Sequence, residues 1–188
     1  MSNSGKLVIY TGCSGVGKGT IMKELLRRDD SIRLSVSNTT RDPRNDEIDG
    51  VHYNFVSREE FLAAADDDGY IEYAEYCNNL YGTPRKQVED MLEQGYDVFL
   101  EIEVKGGLQV MEKYPDALSI FILPPSMEEL ERRLRSRGTE DEETILRRLA
   151  EAENELAFAG RYQYRVVNNE IGRAAEEVLG ILRGFSQV

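Results

Sequence analysis

The chain has 188 residues, 40% of them apolar and 31% charged, enough to fill one hydrophobic core at a length close to the roughly 150 residues of a typical domain. Twenty-three lysines and arginines stand against 35 aspartates and glutamates, a formal net charge of −12, which disfavours nucleic acid and anionic membrane as partners. Cys13 and Cys77 are too few for a disulfide framework and lack zinc-site spacing, and the early apolar run at 7–10 is too short for a signal peptide or a membrane span; a cytoplasmic protein is expected.

Short apolar runs alternate with helical patterns along the chain, the signature of an α/β domain built on a parallel sheet flanked by helices. Strands are predicted at 7–11, 97–104, 118–123 and 165–167. The first, third and fourth are near-continuous apolar runs, as expected of strands buried on both faces. The first strand leads into Gly12-Cys13-Ser14-Gly15-Val16-Gly17-Lys18-Gly19-Thr20, and a helical pattern at Ile21, Met22, Leu25 and Leu26 follows. The stretch 35–81, rich in Ser, Thr, Asn, Tyr and charge, reads as an inserted subdomain facing a substrate. Within it Ser57 and Glu60 form a capping box, where hydroxyl and carboxylate satisfy each other's backbone amides. Asp66, Asp67 and Asp68 then form a solvated turn. Thr83-Pro84 is expected to cap the next helix and Gly95 to stop it. Further capping boxes are predicted at Ser126 with Glu129 and at Thr139 with Glu142. Beyond these, Ile145, Leu149, Ala152 and Leu156 share one face of a long helix.

The glycine-rich segment carries the first chemistry. Its glycines allow successive backbone amides to point inward and cradle phosphate oxygens at a helix N-terminus, while Lys18 reaches the outer phosphates. Gly12, Ser14, Gly15, Val16, Gly17, Lys18, Gly19 and Thr20 therefore form the candidate nucleotide loop. The strict pattern places a hydroxyl directly after the lysine; here Gly19 intervenes and Thr20 carries it, making Thr20 the candidate metal contact. Cys13 lies where converging amides favour a thiolate; two readings stay open, a thiol that reacts with alkylating reagents and is protected by ATP, or an inert packed thiol. Arg41 and Arg44, three apart around Pro43, form a guanidinium fork suited to a terminal phosphate. On the predicted strand 97–104, Glu101 and Glu103 share one face near its C-terminal end, where ligands bind in open α/β sheets. His52 reads as structural.

The segment 35–47 resembles the guanylate kinase signature. So do 50–55 (Gly-Val-His-Tyr-Asn-Phe), 70–73 (Tyr-Ile-Glu-Tyr), 80–83 (Leu-Tyr-Gly-Thr), 121–126 (Phe-Ile-Leu-Pro-Pro-Ser), 133–138 (Arg-Leu-Arg-Ser-Arg-Gly), Arg148-Leu149 and Val167-Asn168, in order and with compatible spacing. The resemblance implies a P-loop nucleoside monophosphate kinase fold: a core of 1–34, 96–125 and 161–188, a GMP-binding subdomain of about 35–95, and a helical lid of about 126–160. It implies that Arg41, Arg44, Tyr53 and Tyr81 hold the GMP phosphate, that Ser37 and Thr83 reach the guanine carbonyl, and that Glu72 accepts from the guanine N–H groups, with Glu103 as a second carboxylate. Two adjacent donors beside a carbonyl are complemented by a carboxylate and hydroxyls, whereas adenine would set a lone pair against the carboxylate. Arg133, Arg137 and Arg148 match positions that close over the ATP phosphates, and Asn168 one near the adenine. The expected partners are ATP, GMP and Mg²⁺, with self-association left open. The sequence departs from the usual family pattern at Cys13 (proline), Glu103 (aspartate) and Lys105 (glutamine). A catalytically inactive module of the same fold, or a kinase for another monophosphate, are the competing readings; the intact loop opposes the first, and the joint presence of Arg41, Arg44, Glu72 and Thr83 opposes the second.

Overall fold

The computed structural model describes residues 5–76, 78–136 and 141–185. A five-stranded sheet runs in the order β2-β7-β1-β8-β9, formed by β1 (Leu7–Gly12), β2 (Ile32–Leu34), β7 (Asp97–Glu101), β8 (Leu118–Leu123) and β9 (Tyr164–Val167). Every pairing in it is parallel. The central strand β1 is buried along its whole length. Period-two alternation divides its side chains between two layers. Val8 and Tyr10 pack with Phe99, Ile120 and Ile122 on one face, under α1 (Lys18–Arg28) and α7 (Ile171–Gly184). Leu7 and Ile9 pack with Val98, Leu100 and Phe121 on the other, under α3 (Arg85–Glu93) and α4 (Val104–Lys113). Each such side chain taken fully from water contributes about 1.5–3 kcal/mol before ordering costs. Among the described residues no helix is long and apolar enough to cross a membrane.

A second sheet, β4-β3-β6-β5, combines β3 (Asn38–Thr39), β4 (Asn54–Phe55), β5 (Tyr70–Tyr76) and β6 (Asn79–Pro84). It has its own small core, in which Phe61 of α2 (Arg58–Asp66) stacks on Tyr70 with ring centroids 4.3 Å apart. The Ser57–Glu60 capping box opens α2 as expected. At the end of α3, Gly95 adopts φ +86°, and its amide bonds the Leu92 carbonyl while that of Tyr96 bonds Met91, the paired closure that a left-handed residue permits.

Four sequence expectations are corrected. The strand predicted at 97–104 ends at Glu101, and Glu103 is the N-cap of α4; Glu101 and Glu103 therefore do not share a strand face. Thr83 does not cap α3: it is the penultimate residue of β6, and Pro84 takes the cap position. The strand predicted at 165–167 begins at Tyr164 and lies at the sheet edge with only Val166 buried, so it is not covered on both faces. Thr139 lies outside the described residues, and the helix that follows, α6 (Glu142–Leu156), is capped by Asp141, which accepts from the Thr144 amide at 2.8 Å. The expected seam holds, with Ile145 and Ala152 buried and Leu149 and Leu156 packed beside the core. Ser126 does cap α5 (Met127–Ser136), accepting from the Glu129 amide at 3.2 Å.

Candidate functional site

The loop between β1 and α1 turns on two glycines that no other residue would replace without strain. Gly15 and Gly17 have φ +83° and +98°. A Cβ on Gly17 would also lie 2.7 Å from Asn168 Nδ2. The loop therefore delivers its backbone to the N-terminus of α1, an eleven-residue helix with no acidic residue in its first turn, where the helix dipole favours an anion. Lys18 Nζ folds over the loop and donates to the carbonyls of Gly12 and, at 3.3 Å, Cys13. A cleft of about 310 Å³ opens here, lined by Gly15, Gly17, Lys18, Gly19, Thr20 and Glu101, with Lys23 beside them. A slightly larger cavity, about 340 Å³, lies among Leu7, Ile71, Val88, Leu92, Lys113 and Ala117. It faces the N-terminal ends of β1 and β8, away from the strand ends where ligands of such sheets bind.

Acidic groups crowd the lysine. Burial pushes the carboxyl of Glu101 up, and Lys18 pulls it back down. Glu103 behaves likewise, with Glu151 raising it further and Lys105 lowering it. Glu155 of α6 accepts from the Ser14 amide at 3.2 Å; burial raises it, while that amide and Lys18 lower it. Glu155 thus sits on the phosphate loop itself. Sequence reading missed this contact, because a glutamate on a charged helix gives no signal until the helix is docked.

Asn168, 3% exposed, donates from Nδ2 to the Val16 carbonyl at 2.8 Å and so pins the loop. Arg133 reaches the same place, donating to the Asn168 carbonyl at 2.9 Å and to Glu129 at 2.8 Å. Arg148 is half-buried on α6. Arg137 lies outside the described residues.

Of the two readings of Cys13, the fold supports the inert packed thiol and not the reactive one. Its side chain is fully buried, in the cluster with Val16, Leu130 and Leu134, and burial pushes its thiol up to about 11 despite nearby Lys18. We expect no alkylation of Cys13 in the folded protein at pH 7.5, with or without ATP, and labelling only after unfolding. Mass spectrometry of iodoacetamide-treated protein checks this; rapid native labelling would overturn it.

The second sheet carries two groupings. In the first, Arg41 donates from one nitrogen to both oxygens of Glu47, at 2.8 and 2.9 Å. Its guanidinium carbon lies 5.6 Å from the centroid of Tyr53, whose ring meets that of Tyr81 edge to face at 6.0 Å. The Arg41 guanidinium and the Arg44 amide hold the Glu47 carboxyl down to about 2. Arg44 itself is exposed. Glu47 is the other residue that sequence reading missed. In the second grouping, Glu72 is 6% exposed and accepts from the Thr83 hydroxyl at 2.7 Å. Burial raises the Glu72 carboxyl; Thr83 lowers it, Glu103 raises it and Lys113 lowers it. Glu103 is within electrostatic reach of both Lys18 and Glu72. Ser37, half-buried, lies just before β3. His52 accepts from the Ile48 amide at 3.0 Å, a structural role.

A phosphate loop at the end of the central strand, with a second polar site on an inserted sheet, defines a P-loop kinase of the nucleoside monophosphate kinase type. The fold alone is also shared with a shikimate kinase from Bacteroides thetaiotaomicron, 15% identical with a TM-score of 0.51 over 95% of this chain and 98% of that one. The guanylate kinase family profile matches residues 4–184, and the chain belongs to the guanylate kinase family. Guanylate kinases of Desulfitobacterium hafniense and Prochlorococcus marinus subsp. pastoris are 49% and 48% identical, covering 96% and 97% of this chain and 90% and 100% of their own. The crystal structure of guanylate kinase from Anaplasma phagocytophilum superposes with a TM-score of 0.78 at 38% identity, over 96% of this chain and 85% of that one.

Proposed function

We propose that this chain transfers the γ-phosphoryl group of ATP to GMP, giving ADP and GDP. The observation that carries the reading is the presence, in one chain, of an intact phosphate loop with Lys18 and a second sheet that presents both an arginine–tyrosine grouping and a buried, hydroxyl-bonded carboxylate. GMP carries about −2 and ATP about −4, so the reactants repel as they are aligned. Lys18, Arg41, Arg44, Arg133, Arg137 and Arg148 oppose that repulsion. Phosphoryl transfer depends chiefly on positioning and charge stabilisation, so no general base is needed.

Arg41, Arg44, Tyr53 and Tyr81 receive the GMP phosphate. Glu47 holds Arg41 ready, and the dianion takes over part of that guanidinium when it binds. Ser37 donates to the guanine carbonyl, and Thr83 does so once the guanine N–H groups have taken its place on Glu72. Glu103 lies beside the same base. Gly12, Ser14, Gly15, Val16, Gly17, Gly19 and Thr20 wrap the ATP phosphates, and Asn168 steadies the loop at the adenine end. In this reading 35–95 is the GMP-binding subdomain and 126–160 a lid on the core of 1–34, 96–125 and 161–188; their closure excludes water that would otherwise hydrolyse ATP. We propose the cytoplasm as the site of the reaction.

The donor set fits Mg²⁺. The Thr20 hydroxyl and the Glu101 carboxylate line one cleft with Lys18, and Mg²⁺ is bound by a few oxygen donors, water and substrate phosphates rather than by an all-protein cage. Thr20 and Glu101 would hold it, and it would supply charge neutralisation to the bound phosphates. Coupled measurement of ADP formation with GMP, AMP, UMP and CMP as acceptors tests the proposal. We expect GMP to be strongly preferred; equal turnover of all four, or none, would overturn it.

A further inference from the structure

Two residues, Ile102 and Glu103, separate β7 from helix α4, which has two glycines, Gly106 and Gly107, in its first turn. Both are in tight places, but of different kinds. A Cβ on Gly106 would lie 2.7 Å from Glu72 Oε2, 3.2 Å from Glu72 Cδ and 3.6 Å from Glu72 Cγ, so the three nearest atoms beyond its own helix all belong to that one side chain. The other oxygen of the carboxylate, Oε1, accepts from Thr83 at 2.7 Å. The Glu72 carboxylate is thus held between a hydroxyl of β6 and the bare helix backbone at Gly106. The far end of the helix secures the same strand, since Lys113 Nζ donates to the carbonyl of Ile71 at 3.1 Å. One helix therefore fixes both the backbone preceding Glu72 and the floor beneath its carboxylate.

We infer that Gly106 is a specificity-determining positioning residue: by lacking a side chain, it sets the depth at which the Glu72 carboxylate meets the purine edge, and so governs selection of the 2-amino purine. The inference rests on the reading of Glu72 as the guanine acceptor. Its physical basis is which atom must yield. A methyl group at 106 meets the far end of a flexible side chain, so the carboxylate is displaced while the helix stays, and alanine is the better helix former. At Gly107 an added Cβ would instead meet the Tyr162 hydroxyl, with Thr11 Oγ1 at 3.0 Å and Ile9 Cγ2 at 3.4 Å. Those atoms belong to the core between β1 and the short turn at Ala159–Arg161, and none has been placed against a substrate. Gly107 is therefore a packing position, and it serves as the control.

The test compares kcat/KM for GMP with that for IMP, which keeps the ring N–H and carbonyl but lacks the amino group, in wild type, Gly106→Ala, Gly107→Ala and Glu72→Gln, with thermal melting of each. Gly106→Ala is expected to lower kcat/KM for GMP by roughly 10- to 100-fold, chiefly through the KM for GMP. IMP should be affected less, the KM for ATP should not move, and Tm should be unchanged or higher. The GMP:IMP ratio then falls towards that of Glu72→Gln. Gly107→Ala should lower Tm and leave the ratio intact. If Gly106→Ala keeps the wild-type ratio while Glu72→Gln loses it, the inference is overturned and the role of Glu72 stands. If Glu72→Gln itself keeps the ratio, Glu72 is not the guanine acceptor and the reading beneath the inference fails. A Gly106→Ala protein that does not fold also overturns it, because the inference requires the carboxylate rather than the helix to give way.

Discussion

Lys18→Met is expected to lower kcat by roughly 100- to 1,000-fold or more, the cost of removing one preorganised group from developing charge. GMP binding should largely persist if GMP is held as proposed, because Arg41 and Glu72 belong to the inserted region around the second sheet and make no hydrogen bond with Lys18. ATP binding should weaken for a second reason. Lys18 is the cation that lowers Glu101, Glu103 and Glu155, and without it the cleft presents carboxylates to a polyphosphate. The ammonium also bridges the Gly12 and Cys13 carbonyls, so the methionine variant gives up part of the loop's own bonding. Steady-state kinetics with titration calorimetry for each nucleotide separates these effects. Near-wild-type turnover in Lys18→Met would remove the phosphate-loop assignment, and loss of GMP binding would show that the two sites are not independent.

Glu72→Leu should lower kcat/KM for GMP by roughly two orders of magnitude or more, since two guanine donors would be buried without an acceptor at about 1–3 kcal/mol each. AMP should lose far less, or gain slightly, because a lone pair no longer faces a carboxylate. The variant also removes the acceptor of the fully buried Thr83 hydroxyl, so Glu72→Gln is the milder companion. The pH dependence has a definite sign. As the proposed guanine acceptor, Glu72 would need to be ionised to accept from both N–H groups, and burial raises its carboxyl above the ordinary range. The KM for GMP should therefore rise as pH falls through that raised value, earlier than an exposed carboxylate would dictate, while the KM for AMP does not follow. Equal losses for GMP and AMP in Glu72→Leu would make Glu72 a structural residue.

Legibility in the sequence tracked how local each signal was. The central strand, its phosphate loop and β8 stand out because continuous apolar runs and a glycine pattern need no tertiary context. Helix α4 was hidden by its own function in packing. Gly106 and Gly107 depress helix propensity, and Val98, Leu100, Ile102 and Val104 mimic strand alternation, so the pattern carries the strand on to Glu103 although it ends at Glu101. Thr83 before Pro84 has the composition of a cap, but its hydroxyl is taken by Glu72, eleven residues back, and the cap moves on by one. Glu47 on Arg41 and Glu155 on Ser14 are invisible for the opposite reason: acidic residues abound in this chain, and only docking selects two of them. Cys13 combines both lessons. Its local setting favours a thiolate, and the packing of α5 against the loop buries it instead.

The position of β1 in the sheet order sets a schedule for the chain's first minutes. The strand emerges first, yet its two neighbours begin at Asp97 and Leu118, and parallel partners so distant in sequence exact loop-closure entropy before any pairing rewards it. At ordinary translation rates the last of them follows on the order of ten seconds later. Through that interval β1, an apolar strand, keeps at least one edge open. The rate of refolding from denaturant should therefore be limited by the capture of β1 between its two neighbours rather than by any helix.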